Sequence, residues 1–126
     1  MDSQSDSAPN ARSILVVDDN SNLREALVAV LANEGYEVSQ ASNGDAAVAD
    51  MRQQPVALLI TDLVMPDREG IETIRHFSRE FPHTPIIAMS GMPDYLPMAK
   101  ALGAAVVLKK PIVYADLLRA VRSLIG

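Results

Sequence analysis

The sequence predicts an α/β domain in which one parallel sheet carries helices on both faces. Short apolar runs alternate about five times with segments of helical periodicity, and neither a repeat nor a linker interrupts them. The central run is Leu58-Leu59-Ile60-Thr61-Asp62-Leu63-Val64-Met65-Pro66, which is apolar and then breaks into turn residues. A short apolar run bounded in this way is typical of a strand buried on both faces.

Composition limits the classes of protein that fit this sequence. At 126 residues the chain is long enough for one domain with a sizeable core. The net charge of -5 argues against direct binding of nucleic acid. The absence of cysteine excludes disulfides, thiolate metal sites and cysteine nucleophiles. No apolar stretch is long enough to span a bilayer and no signal peptide is evident, so we expect a soluble, cytoplasmic protein with no membrane partner.

The elements can be placed in order along the chain. Residues 1–12 are rich in Ser, Asp and Asn and predict a disordered tail, which leaves residues 13–126 for the folded domain. The predicted strands are residues 14–17, 37–41, 58–62, 85–89 and 105–108. The first predicted helix is capped by Asn20, Ser21 or Asn22 and stopped by Gly35, and the others cover about 43–53, 71–81, 94–102 and 117–125.

Among doubly wound sheets of this size, the flavodoxin-like strand order 2-1-3-4-5 fits best. Polar residues then close the first, third, fourth and fifth strands, and the carboxyl ends of parallel strands share one edge of the sheet. The residues in question are Asp18, Asp19, Asp62, Ser90 and Lys110. Three crowded carboxylates favour a bound cation, and oxygen ligands suit Mg²⁺. With a lysine and a hydroxyl beside them, the set resembles a cradle for a phosphoryl group, and a carboxylate is the best-placed nucleophile.

These stretches resemble the receiver domain of two-component response regulators, and the resemblance covers nearly all of residues 13–125. The Asp62-Leu63-Val64-Met65-Pro66 run is a specific motif, and the ordered set is more specific still. The matching stretches are Ile14-Leu15-Val16-Val17-Asp18-Asp19-Asn20, Thr61 through Gly70, Met89-Ser90-Gly91 and Leu108-Lys109-Lys110-Pro111.

The resemblance implies a magnesium site made of four groups. Asp19 would bind Mg²⁺ directly and Asp18 would hold it largely through water. The carboxylate of Asp62 and the backbone carbonyl of Val64 would complete the protein ligands.

The resemblance also implies how the phosphoryl group is handled. Asp62 would be the phosphoacceptor, and Ser90 would donate a hydrogen bond to a phosphoryl oxygen. Lys110 would pair with the Asp62 carboxylate and then with the phosphate, and the bond from this lysine to Pro111 is usually cis in the family.

The resemblance implies a signalling protein that catalyses only its own phosphorylation and dephosphorylation. A histidine kinase or histidine phosphotransfer protein would donate the phosphoryl group. A downstream protein would bind the face formed by the fourth helix, the fifth strand and the fifth helix, near Met92 and Tyr95. We expect a stand-alone receiver, whose output passes through another protein.

Two departures from the family pattern have consequences. Val107 occupies a position that is usually Tyr or Phe, and valine is too short to report movement of the hydroxyl residue. Signalling is therefore expected to depend on backbone shifts in residues 90–102. Val64 and Met92 flank the expected path of the hydrolytic water, and neither can orient that water, so we expect a comparatively long-lived phosphoryl group.

Other interpretations of single residues and of the whole chain stay open at this point. Asp18 and Asp19 could cap the next helix, Ser90 could be a loop residue, and Lys109, His76 and His83 are expected on the surface. The chain could be a degenerate receiver that binds partners without phosphorylation. It could also be an aspartyl-nucleophile phosphatase of the haloacid dehalogenase type, although such an enzyme would need an acid where Val64 stands and would carry a cap domain.

Overall fold

A computed structural model describes residues 10–63 and 69–126 of the chain. Within these ranges the strands are β1 (Asn10–Val17), β2 (Glu37–Ala41), β3 (Val56–Asp62), β4 (Ile86–Ser90) and β5 (Val106–Lys109). The helices are α1 (Ser21–Asn33), α2 (Gly44–Gln53), α3 (Glu69–Glu80), α4 (Leu96–Leu102) and α5 (Tyr114–Ile125), with a 3₁₀ turn at Pro93–Tyr95 before α4. None of the helices in the described ranges is both long enough and apolar enough to cross a membrane.

The strands form one parallel sheet in the order β2-β1-β3-β4-β5, which confirms the predicted flavodoxin-like fold. Alternate residues of each strand point to opposite faces of the sheet. On one face Leu15, Val17 and Leu59 pack against α2, α3 and α4. On the other face Ile14 and Leu58 pack against α1 and α5. The sheet is therefore buried on both faces, as the apolar strand sequences require.

Short polar side chains and glycines set the helix ends close to where the sequence places them. Asn20 caps α1 by accepting a hydrogen bond from the amide of Leu23 at 3.1 Å, and Asn43 caps α2 through the amide of Ala46 at 2.8 Å. Gly35, just beyond α1, has φ +93°, a conformation that glycine adopts without steric penalty.

The fourth helix begins later than predicted. The sequence predicts a helix from about Asp94, whereas the α-helix starts at Leu96 and a 3₁₀ turn precedes it. Pro97 lies in the first helical turn and has no amide hydrogen to donate. The preceding residues close instead through the shorter-range hydrogen bond from the Tyr95 amide to the Met92 carbonyl, at 3.0 Å.

The boundary of the predicted tail needs correction, because β1 already begins at Asn10. Asn10 pairs with Val56 at the start of β3. The guanidinium of Arg12 lies 4.3 Å from the centre of the Tyr36 ring and donates to the carbonyl of Glu34 at 3.2 Å. These partners are distant in sequence, so the local composition gave no sign of them. The remainder of the predicted tail, residues 1–9, lies outside the described residues.

An ionic network joins the C-terminal ends of α2 and α3. Arg52 donates two hydrogen bonds of 2.7 Å to Glu80, and His76 lies 2.6 Å from the same carboxylate. The hydrogen bonds from Arg52 and then His76 lower the pKa of Glu80 to about 2, so it is ionised at neutral pH. Because these helices run antiparallel to the strands, the network marks the amino edge of the sheet.

Candidate functional site

The polar residues predicted at the strand ends lie along the carboxyl edge of the sheet. Register pairs Val17 of β1 with Thr61 of β3, so Asp18 and Asp62 follow side by side. Asp62 pairs in turn with Met89 of β4, one residue before Ser90. Parallel pairing alone therefore brings residues from three separate stretches of the chain to one place.

Three carboxylates form the centre of this edge. One oxygen from each of Asp18, Asp19 and Asp62 lies within 4.8 Å of the others. Asp18 and Asp62 are buried, with 0% and 4% of their surface exposed, whereas Asp19 is exposed. Hard carboxylate oxygens at this spacing, open to water on one side, fit a cation such as Mg²⁺ that retains several waters. The predicted fourth ligand, the Val64 carbonyl, lies outside the described residues.

Lys110 supplies the positive charge that faces these acids. Its Nζ donates to Asp62 Oδ2 at 3.0 Å and to Asp18 Oδ2 at 3.3 Å. Partial burial lowers the pKa of Lys110, but the hydrogen bonds and charges of Asp62 and Asp18 outweigh it and hold the pKa above its usual value. The Lys110–Pro111 peptide bond is cis, as the family resemblance implied.

The polar atoms of Asp18 are held by four different groups. Its amide donates to the carbonyl of Ala41 at 3.2 Å, and its Oδ1 accepts from the amide of Asn20 at 2.9 Å. Its carbonyl accepts from Arg24 Nη1 at 2.7 Å, and its Oδ2 accepts from Lys110. Protein groups therefore hold both the carboxylate and the backbone of Asp18.

Sequence reasoning did not find Arg24 as part of this arrangement. The predicted site residues all follow strands, whereas Arg24 lies in the first turn of α1. A usable signal was present, because the Asn20 cap fixes the start of the helix and places Arg24 one turn beyond it, next to the acids.

Ser90 lies at the same edge, with its hydroxyl bonded to its own loop. Ser90 Oγ accepts from the amide of Met92 at 2.9 Å and donates to the carbonyl of Met92 at 3.2 Å. The amide of Lys110 donates to the Ser90 carbonyl at 2.8 Å, which ties the ends of β4 and β5 together. Ser90 is fully buried, so it is a fixed part of the edge.

The structure also places the other polar residues that the sequence analysis considered. Lys109 and His83 are exposed, and His76 belongs to the Glu80 network at the opposite edge. A cleft of about 810 Å³ also opens at that amino edge, beside Asn10, Glu37 and Gln54. The groups with convergent chemistry are on the shallow carboxyl edge instead, where open α/β sheets place their sites.

Comparison with known proteins agrees with this fold. A sequence model of the response regulator receiver domain matches residues 14–122. The chain is 32% identical over 114 residues to the response regulator receiver protein CpdR of Brucella abortus, covering 89% of this chain and 95% of that protein. It is 35% identical over 105 residues to the autoinducer sensor kinase/phosphatase CqsS of Vibrio cholerae, of which it spans only 15%.

Solved structures give the same result. The chemotaxis response regulator CheY4 of Vibrio cholerae superimposes with a TM-score of 0.81 at 28% identity, over 89% of this chain and 97% of that one. The receiver domain of NtrX from Brucella abortus has the same fold, with a TM-score of 0.84 at 24% identity, over 89% of this chain and 97% of that one. The chain therefore belongs to the response regulator receiver domain family of two-component systems.

Gly70 provides a test of how tightly this edge is built. A Cβ at Gly70 would lie 2.2 Å from the Leu63 carbonyl oxygen and 2.4 Å from that of Asp62. Gly70→Ala should therefore lower the free energy of unfolding by about 1–3 kcal/mol, the usual cost of overpacking, even though alanine favours helices. Urea unfolding measures the loss, and amide chemical shifts report whether Asp62 moves.

Gly91→Ala is the matched control, because the nearest described atom to its added Cβ, apart from its chain neighbours, would be Lys110 Cβ at 3.8 Å. A Gly70→Ala variant as stable as the parent would show that the end of β3 accommodates a side chain freely.

Proposed function

We propose that the chain is a phosphoacceptor response regulator and that Asp62 carries the phosphoryl group. The observation that supports this most directly is the meeting of Asp18, Asp19 and Asp62 within 4.8 Å, with the Lys110 ammonium 3.0 Å from Asp62. Catalysis of phosphoryl transfer depends mainly on positioning and on stabilising negative charge. These residues supply both, so the domain promotes its own phosphorylation without acting on other substrates.

In the proposed reaction an oxygen of the Asp62 carboxylate attacks the phosphorus of a phosphohistidine on the donor. The new O–P bond forms as the P–N bond breaks, and the leaving imidazole nitrogen takes the electron pair and then a proton. Lys110 pairs first with the Asp62 carboxylate and then with the phosphoryl oxygens. Ser90 donates its hydroxyl hydrogen to one of those oxygens.

Asp18, Asp19 and Asp62 would hold Mg²⁺, with the Val64 carbonyl as the remaining predicted protein ligand. A bound Mg²⁺ supplies positive charge that stabilises the phosphoryl oxygens during transfer. Both carboxylate oxygens of Asp18 are already engaged by Asn20 and Lys110. This supports the division in which exposed Asp19 binds the ion directly and Asp18 acts largely through water.

The proposed donor is a histidine kinase or a histidine phosphotransfer protein, which implies a cytoplasmic location. The proposed output surface is the face formed by α4, β5 and α5, on which the apolar side chains of Val113 and Tyr114 are exposed. A cleft of about 320 Å³ opens beside it, between Lys109, Pro111 and Asp116. Exposed apolar groups rimmed by charge favour a protein partner on this face.

Asp62→Asn tests the assignment of the phosphoacceptor. Acetyl phosphate with Mg²⁺ should add one phosphoryl group to the parent protein and none to the variant, because the amide is a poor nucleophile. Intact mass spectrometry measures the labelling. Asp94→Asn, which changes an exposed acid in the 3₁₀ turn, is the control and should label normally.

Labelling that persists in Asp62→Asn contradicts the assignment. Failure of the parent to bind Mg²⁺ or to become labelled would favour a degenerate receiver that only binds partners. Steady turnover of a phosphomonoester would favour the phosphatase alternative.

The Met92–Tyr95 turn should respond to phosphorylation. If Ser90 donates its hydroxyl hydrogen to a phosphoryl oxygen, it must give up its hydrogen bond to the Met92 carbonyl, which also accepts from the Tyr95 amide. Phosphorylation should therefore change amide shifts and hydrogen exchange across residues 90–102. Ser90→Ala should still be labelled but should lose this response, and changes confined to the metal site in the parent would refute the idea.

The prediction of a long-lived phosphoryl group also remains to be tested. Met92 is 51% exposed and apolar, and Val64 lies outside the described residues. The double variant Val64→Asn, Met92→Glu introduces groups that can orient water and should lose its phosphoryl group faster than the parent. Decay followed by mass spectrometry after removal of the donor measures the difference, and equal or faster decay in the parent would disprove the prediction.

A further inference from the structure

We infer that Arg24 is a positioning residue for the magnesium-binding carboxylates and acts mainly on Asp19. The inference rests on the proposed function only in taking these acids as the magnesium site. Among the described residues, Arg24 contacts neither the carboxylate oxygens of these acids nor the groups proposed to bind the phosphoryl group. It acts through the backbone that carries the acids.

The guanidinium of Arg24 joins two parts of the chain. Its Nη1 donates to the carbonyl of Asp18 at 2.7 Å, and its Nε donates to Oε1 of Gln40 on β2 at 2.8 Å. Its own amide donates to the Asn20 carbonyl at 3.0 Å, within the capped first turn of α1. A rigid planar fork with both ends bound fixes the position of the Asp18 carbonyl relative to the neighbouring strand.

The bound carbonyl belongs to the peptide group that links Asp18 to Asp19. Because that group is planar, holding its oxygen sets the direction in which the chain enters Asp19. Asp18 has other supports, from Asn20, Ala41 and Lys110, whereas Asp19 is exposed and lacks the packing that surrounds Asp18. The orientation of Asp19 therefore depends on the hydrogen bond from Arg24 more strongly than the orientation of Asp18 does.

The charge of Arg24 and its positioning role have opposite effects on metal affinity. A positive charge close to the site repels a divalent cation, so charge alone predicts tighter Mg²⁺ binding when Arg24 is replaced. Loss of positioning predicts weaker binding, because Asp19 then samples orientations that do not face the ion. The sign of the change in Kd separates the two.

The experiment measures Mg²⁺ binding by isothermal titration calorimetry in the full chain. Arg24→Gln removes the charge and the fork, and Arg24→Lys keeps the charge but cannot reach both acceptors with the same geometry. Both should raise the Kd for Mg²⁺ by about 10-fold, the lower end of what loss of an outer-shell partner costs. Gln40→Leu keeps the arginine and removes one acceptor, and it should give a smaller increase in Kd.

Arg52→Gln is the matched control, since it removes the same charge and two hydrogen bonds from a helix arginine at the opposite edge of the sheet. Its Kd should equal that of the parent, even if its thermal stability falls. The amide shift of Asp19 in the metal-free Arg24 variants gives a second readout, and it should move more than the shift of Asn43 at the cap of α2.

Tighter or unchanged binding in both Arg24 variants overturns the inference, and so does an equal loss in Arg52→Gln. If the Arg24 variants do not fold, an unchanged Kd in Gln40→Leu overturns it. Absence of Mg²⁺ binding by the parent protein also overturns it. Normal Mg²⁺ binding without labelling of Asp62 would instead overturn the phosphoacceptor proposal and leave the role of Arg24 standing.

Discussion

Repulsion among carboxylates at one edge of the sheet is the constraint around which this domain is built. Parallel pairing brings Asp18 and Asp62 side by side with Asp19 next to them, and two of the three acids are buried. Lys110 offsets part of the repulsion among the carboxylates by donating hydrogen bonds to two of the acids. Among the described residues that contact these carboxylates, one ammonium faces three acids, and this excess of negative charge favours a bound cation.

The close packing around these acids limits how the backbone can respond to them. The chain after β3 returns so closely that Gly70 faces the carbonyls of Asp62 and Leu63 with no room for a Cβ. On the other side, Arg24 and Asn20 hold the Asp18 peptide. These contacts support the strand ends in the positions that hold the acids close together.

The sequence was sufficient for the features that depend on local pattern and on sheet topology. The bounds of α2 follow from Asn43 and Pro55, and the meeting of Asp18 with Asp62 follows from parallel strands that end together. It was insufficient where a contact follows neither strand nor helix periodicity. Asn10 pairs with Val56 far along the chain, and Arg24 joins the nearby Asp18 carbonyl to the Gln40 side chain on β2.

The small side chain of Val107 on β5 would affect how the loop after β4 transmits a signal. Val107 and Tyr95 both pack against the cluster between the sheet and α2, α3 and α4. Val107 has too small a side chain to swing between a buried and an exposed position, whereas Tyr95 is tied to Ser90 through the Met92 carbonyl. In the proposed mechanism, a change in the Ser90 hydrogen bond would therefore reach the turn before α4 through the backbone first. The proposed path from the acids to the α4 surface follows main-chain hydrogen bonds and does not need a rotating aromatic ring on β5.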